Sequence, residues 1–182
     1  MTSAEPSGTP ARERVRPAGR HDVPAIVDLR VRFLGERARL EGKPGLAPDV
    51  RARSEAQLPF WIGQDERVLL IALAGPTERA AAEAGQAGAS VAGYAMGQVS
   101  AWPPLFRRTR VGEILEVFVD PAARGLGLGR ALIAVLTETL AARGVEVLRA
   151  AVAARDATSL ERFEALGYRP WQHVLVRRQD AG

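Results

Sequence analysis

The amino-acid sequence predicts an α+β (mixed α/β) fold built on one central sheet. Three observations carry this. Short runs of apolar and β-branched residues recur at Arg67 to Leu73, Ser90 to Ser100, Glu113 to Val119 and Val145 to Val152. The stretch Gly127 to Arg143 instead places Leu128, Leu132, Val135, Leu136 and Leu140 on one helical stripe. Strand-like and helix-like segments alternate in the order β-α-α-β-β-β-α-β-α-β-β, which suits a sheet layered with helices.

Each element has a local reason. Val15 to Ala18 reads as a short first strand. His21-Asp22-Val23-Pro24 resembles a helix start, with Asp22 as N-cap and Pro24 in the first turn. Ile26, Leu29, Val31, Phe33 and Leu34 continue a partly amphipathic helix. Leu40 to Pro48 holds Gly and Pro and reads as a loop, and a second helix is expected from about Asp49 to Ile62. The run Arg67 to Leu73 suits a buried strand that pairs with Ser90 to Ser100 as a long hairpin. Gly75 to Gly88, rich in Ala, Glu and Gly, is read as its connection. Pro103-Pro104 makes Trp102 to Arg110 a loop. Asp120-Pro121 stops the strand Glu113 to Val119, and Gly144 closes the helix that follows. After Val145 to Val152, a short helix is expected with Thr158 as its cap and Glu161 three residues on. Leu166-Gly167 ends it, and Tyr168 to Trp171 and His173 to Arg177 read as two last strands.

The chain has 182 residues, 47% hydrophobic and 25% charged, enough for one domain with its own core. Residues 1–13 read as a disordered tail, 14–178 as the domain and 179–182 as a C-terminal tail. No apolar run approaches the roughly 20 residues of a bilayer span, and the N-terminus lacks the apolar stretch of a secretory signal. A cytoplasmic protein without a membrane partner is therefore expected. There is no cysteine, which excludes disulfides, thiolate metal sites and a Cys nucleophile. His21 and His173 lie far apart, so no metal is expected. The net charge is +4, and Lys43 is the one lysine. Arginine-favouring codon usage explains that excess, and no basic run with interleaved aromatics points to nucleic acid.

The chemistry lies in Val117 to Leu132. A strand ends, a Pro-containing turn follows, and Gly125, Gly127 and Gly129 open a helix. Glycine lets a backbone approach a bulky anion, and the first N–H groups of a helix have no internal partner. Together with the helix dipole these form a phosphate cradle. Arg124 adds a cation beside it. The spacing is not the G-x-G-x-x-G of a dinucleotide site, and no Gly-Lys-Ser/Thr of a P-loop is present.

Arg124-Gly125-Leu126-Gly127-Leu128-Gly129 resembles the R/Q-x-x-G-x-G/A signature of the GNAT superfamily of acyl-CoA-dependent N-acyltransferases. Val117, Val119 and Pro121 before it, and Ala131-Leu132 after it, also fit. So does Asp156-x-x-Ser159-x-x-x-Phe163-x-x-x-Gly167-Tyr168, similar to the family's N-x-x-A-x-x-x-Y-x-x-x-G-F/Y segment. The resemblance implies a twisted, mostly antiparallel sheet with parallel strands 4 and 5 splayed apart, flanked by about four helices. It implies acetyl-CoA as cosubstrate, its pantetheine arm pairing with Val117, Phe118 and Val119, and its diphosphate on the amides of Leu126 to Arg130. A backbone N–H near Val117 or Phe118 would polarise the thioester. The acceptor would be a primary amine, and a small molecule is expected. Acetylation of a protein N-terminus or lysine, and a non-catalytic acyl-CoA sensor, are the rival readings. A homodimer is compatible with the sequence.

Glu116 and Glu113 are the candidate water-linked bases that would take the amine's proton. In a regular strand they would point to opposite faces, unless a bulge intervenes. Phe163 stands where the resemblance expects a thiolate-protonating tyrosine. Asp156 replaces the usual Asn yet still offers an acceptor to pantetheine. Ser159 replaces a small Ala and is either a cofactor contact or a cap, and Arg130 is either a phosphate ligand or a solvated first-turn residue. Tyr168 reads as core. Phe60, Trp61, Trp102, Phe106 and Trp171 fall where acceptor-binding loops are expected.

Overall fold

The computed structural model describes residues 10–75, 89–101 and 109–174. The elements run β1 (Val15–Pro17), α1 (Val23–Leu40), α2 (Val50–Gln57), β2 (Arg67–Ala74), β3 (Ser90–Ala101), β4 (Arg110–Val119), α3 (Leu128–Ala141), β5 (Val147–Ala150) and α4 (Ala157–Ala165). One sheet takes them in the order β1-β2-β3-β4-β5. All neighbours are antiparallel except β4 and β5, which are parallel. Residues 76–88, within the expected hairpin connection, and 102–108, within the expected Trp102 to Arg110 loop, lie outside the described residues.

Helices cover both faces, and the strand sequences say so. In β2 the run Val68 to Leu73 is buried without alternation, because Val68, Leu70 and Ala72 meet one layer and Leu69, Ile71 and Leu73 the other. On the first face α3 lays down Leu128, Leu132, Leu136 and Leu140, all at most 1% exposed, against Ala95, Val99 and Ile114. Burying each such leucine contributes about 1.5–3 kcal/mol, so this stripe anchors the domain. On the second face Ile26, Val27 and Leu29 of α1, with Leu58 and Trp61, pack on Tyr94, Met96 and Phe118.

Gly93 of β3 is fixed by close approach. A Cβ there would lie 2.8 Å from the Phe118 carbonyl oxygen and 3.3 Å from Leu132 Cδ1. The β3–β4 ladder holds a bulge: Met96 faces Glu116 and Gly97 faces Ile114, so Leu115 is the extra residue.

Several expectations change. Ala11–Arg14, of which the residues up to 13 were expected as tail, form a 3-10 turn, where Ala11 packs on the core and Arg12 pairs with Glu138 of α3. Asp22 does not cap α1 with its side chain. It accepts from the Gly19 amide at 2.7 Å and pairs with Arg16, closing the preceding turn instead. The cap of α4 is Asp156, which accepts from the Ser159 amide at 3.0 Å, and not Thr158. A short carboxylate reaches the third helical amide more readily than a hydroxyl already inside the turn. Tyr168 to Trp171 form no strand. Tyr168 instead turns its ring edge onto Phe163, and its hydroxyl lies 3.3 Å from that of Thr137. Of the last expected strand, His173 and Val174 are irregular and residues 175–177 lie outside the described residues.

Candidate active site

Parallel pairing of β4 and β5 runs from Val111↔Val147 to Ile114↔Ala150 and stops. Beyond it the two strands part, so β4 from Leu115 to Val119 has no strand partner on that side. The gap opens into a cleft of ≈ 690 Å³. Its walls are β4, the end of β5, the glycine turn, the first turn of α3, one face of α4 and the C-terminal half of α1.

The glycine turn has the backbone that its sequence demands. Gly127 is the N-cap of α3 at φ 73°, and Gly125 sits at φ 86° with nothing within 4 Å of where a Cβ would be. Side chains are strained at positive φ, so glycine turns the chain sharply and presents the first amides of a helix of 14 residues to the cleft. Arg130 of α3 and Arg162 of α4 also line it, and neither has an ion-pair partner among the described residues.

Of the residues expected from sequence, Glu116, Val117, Phe118, Val119, Arg124, Gly125, Gly127, Leu128, Gly129, Arg130, Asp156, Ser159 and Phe163 line the cleft. Leu126 does not, being half exposed at the tip of the turn. Glu113 is also outside it. Arg124 leans away from the turn, onto Glu36 of α1 at 3.4 Å, the Val119 carbonyl at 3.3 Å and the Phe118 ring. Trp61 is buried in the core with Arg67 stacked on it, so it contributes packing and not an acceptor wall. Phe60 and Trp171 are exposed and outside the cleft, and Trp102 and Phe106 lie outside the described residues.

Both carboxylates of β4 are engaged. The bulge at Leu115 shifts the pleat by one residue, so Glu113 and Glu116 share the α1 side of the sheet. Glu113 accepts from Gln98 at 2.6 Å and pairs with Arg149. Burial alone would raise its pKa, but these contacts outweigh it and hold the carboxyl below its usual range. Glu116 is only 11% exposed and receives Arg30 Nη2 at 3.0 Å, Arg30 Nε at 3.2 and 3.1 Å, and the Tyr94 hydroxyl at 2.8 Å. Arg30 also donates to Gln57 at 2.8 Å. Three donor hydrogens hold this carboxylate, the Arg30 Nε–H being shared between both of its oxygens. Burial and the neighbouring Glu116 charge raise the Tyr94 pKa well above its usual value, so the phenol stays a neutral donor.

The sequence reading missed Arg30, Tyr94 and the α1 wall of Phe33, Glu36, Arg37 and Leu40. One signal was present. Arg30 sits four residues after Ile26 on the buried stripe of α1, and a buried cation needs an anion. Glu116, set in the apolar run Ile114 to Val119, is that anion.

A family model described as the acetyltransferase (GNAT) family matches residues 48–168, which contain the parted strands, the glycine turn and α4. The chain belongs to this acetyltransferase family. A mycothiol acetyltransferase of Acidothermus cellulolyticus is 41% identical over 69 residues, 37% of this chain and 21% of that protein. Its counterpart in Amycolatopsis mediterranei is 42% identical over 66 residues, 36% of this chain and 22% of that protein. The matched stretch is thus about a fifth of the length of these relatives. Among solved structures, a tetramutant of the BH1408 protein from Bacillus halodurans aligns at TM-score 0.71 and 16% identity over 91% of this chain and 99% of that one. Aminoglycoside N-acetyltransferase AAC(6')-Iy in complex with CoA aligns at TM-score 0.65 and 16% identity, over 92% and 94%. Both share the GNAT fold. Among the described residues, no helix is long and apolar enough to cross a membrane, and no group of three metal-ligating side chains occurs.

Proposed function

We propose that this acetyltransferase moves the acetyl group of acetyl-CoA directly to a primary amine of a small molecule. The carrying observation is the pair of positive-φ glycines opening α3 at the end of a cleft between parted parallel strands. The residues present suit coenzyme A. The amides after Gly127, with Arg130 and Arg162, form a cationic cradle for a diphosphate. The free edge of Val117 to Val119 offers backbone groups to an amide-bearing arm and a donor to a thioester oxygen. Family membership supports this reading, and the names of the relatives support a small acceptor.

The proton path follows from what the side chains already hold. Glu116 is held by three donor hydrogens of Arg30 and Tyr94, so it anchors α1 to the bulged strand and does not take the amine's proton. Glu113 is outside the cleft and held ionised by Arg149. The acceptor therefore loses its proton to water at the open mouth. Phe163 cannot donate, so the departing thiolate takes its proton from solvent as well.

Calorimetric titration with CoA, followed by thiol release from acetyl-CoA across an amine panel, tests the proposal. Micromolar binding with release on at least one primary amine is expected. No binding heat overturns it, and binding without release on any amine makes the protein an acyl-CoA sensor.

A further inference from the structure

A second cavity of ≈ 460 Å³ adjoins the cleft and shares Glu36 and Leu40 with it. Arg39 on the last turn of α1 and Arg155 in the loop before α4 complete its lining, so it bridges the two sides of the cleft mouth. Neighbouring cations are neutralised: Arg32 by Asp120 at 2.6 Å, Arg37 by Glu41 at 2.5 Å, Lys43 by the same Glu41, and Arg124 by Glu36. Arg39 and Arg155 have no such partner among the described residues. Glu36 is the one carboxylate of this lining, and Arg124 already neutralises it. Two uncommitted guanidiniums therefore flank this open depression beside Leu40, which is 39% exposed.

We infer that this cavity receives the carboxylate of the acceptor, so that the preferred substrate is an amine that also carries a carboxyl group. The inference rests on the acetyl-transfer reading above and specifies its acceptor. A phosphate of coenzyme A is the other anion that could enter. Placement argues for the acceptor. The glycine turn opens α3 on one face of the sheet and has its own uncommitted cations, Arg130 and Arg162. Arg39 belongs to α1, which packs on the opposite face, while Arg155 lies in the loop before α4, so the pair reaches across to the face that the glycine turn does not serve. A diphosphate seated on the glycine turn leaves the α1 side of the mouth, where Arg39 stands, to the second substrate. A guanidinium pair also favours a planar carboxylate through forked donation. A polycationic amine would meet like charge there.

Steady-state kinetics with the full chain tests this, using the proteinogenic amino acids and their C-terminal amides as matched acceptors, with spermidine as the cationic control. At least one free acid is expected to turn over with a KM roughly tenfold below its amide, and spermidine to be poor. The double variant Arg39→Glu with Arg155→Glu should raise KM for that acid roughly tenfold while leaving its amide and the KM for acetyl-CoA unchanged. Circular dichroism confirms that both chains fold alike. Equal turnover of acids and amides, or preference for spermidine, overturns the carboxylate inference and leaves acetyl transfer standing. A rise in KM for acetyl-CoA alone assigns the arginines to the cosubstrate and overturns it too. Thiol release on no amine sinks both readings.

Discussion

At Glu116 and Arg30 the side chains are paired, nearly dry and shared between two layers. Each is 11% exposed, and the pair joins α1 to the bulge of β4. Removing one member of such a pair costs more than the pair contributes, because the survivor stays buried and charged. Glu116→Gln should therefore lower unfolding free energy by about 2–4 kcal/mol in urea denaturation. The triple change Arg30→Met, Tyr94→Phe and Glu116→Leu, which leaves no buried donor without its acceptor at the pair, should recover most of that loss. The same substitution separates an anchor from a base. If Glu116 is an anchor, folded Glu116→Gln keeps the rise of kcat/KM with pH at the wild-type position. That position should follow the acceptor's own amine pKa when a less basic amine is used, because water takes the proton. A pH limb that vanishes in Glu116→Gln restores the carboxylate as base.

At the scale of elements, two glycines hold backbone positions that no larger residue takes without strain, one at the cleft and one in the sheet. One is the left-handed glycine at the N-cap of α3. Gly127→Ala places a Cβ at φ 73°, which costs roughly 1–2 kcal/mol. Relief of that strain would turn the first amides of α3 aside, so CoA affinity by calorimetry should fall more than stability does. The other is Gly93, where β3 lies beside Val119 of β4 and beneath Leu132 of α3. Gly93→Ala drives a Cβ to 2.8 Å from a backbone carbonyl, and the expected loss is about 1–3 kcal/mol with CoA affinity kept in the folded fraction. Opposite rankings in these two assays would contradict the placement of the two glycines. Local pattern showed the glycine turn and the leucine stripe of α3 because both are consecutive in the chain. It did not show which carboxylate faces what. One extra residue at Leu115 reverses the pleat, and nothing in EILEVFV marks where a bulge falls. Likewise Thr158 was expected as the cap, and only the hydrogen bond from the Ser159 amide identifies Asp156 in that place.

The whole molecule is two helical layers on a sheet that opens at one edge, and long-range ion pairs tie the layers together. The order and type of elements up to α4 were legible because each is long or strongly patterned. The α1 wall of the site was not, since its residues are distant in sequence from the glycine turn and meet it only through the fold. Asp22 shows how such ties set stability. It is 4% exposed, accepts from Arg16 of β1 at 2.8 and 3.0 Å, and binds the Gly19 amide at 2.7 Å, joining the edge strand to the start of α1. Burial pushes its pKa up, but Arg16 and the Gly19 amide outweigh burial and bring it below the usual value. Because the folded chain then holds that proton more weakly than the unfolded one, stability is complete above the ordinary Asp range near about 4 and is lost as pH falls through the folded pKa. Glu41 and Glu113 are lowered in the same direction and add to the same acid limb. Asp22→Asn should be less stable than wild type by about 1–2 kcal/mol at neutral pH, and the gap should close progressively below about pH 4. Thermal unfolding followed by circular dichroism from neutral to strongly acidic buffer reads this directly. A gap that stays constant with pH would mean that Asp22 acts through its shape and hydrogen bonds and not through its charge on Arg16.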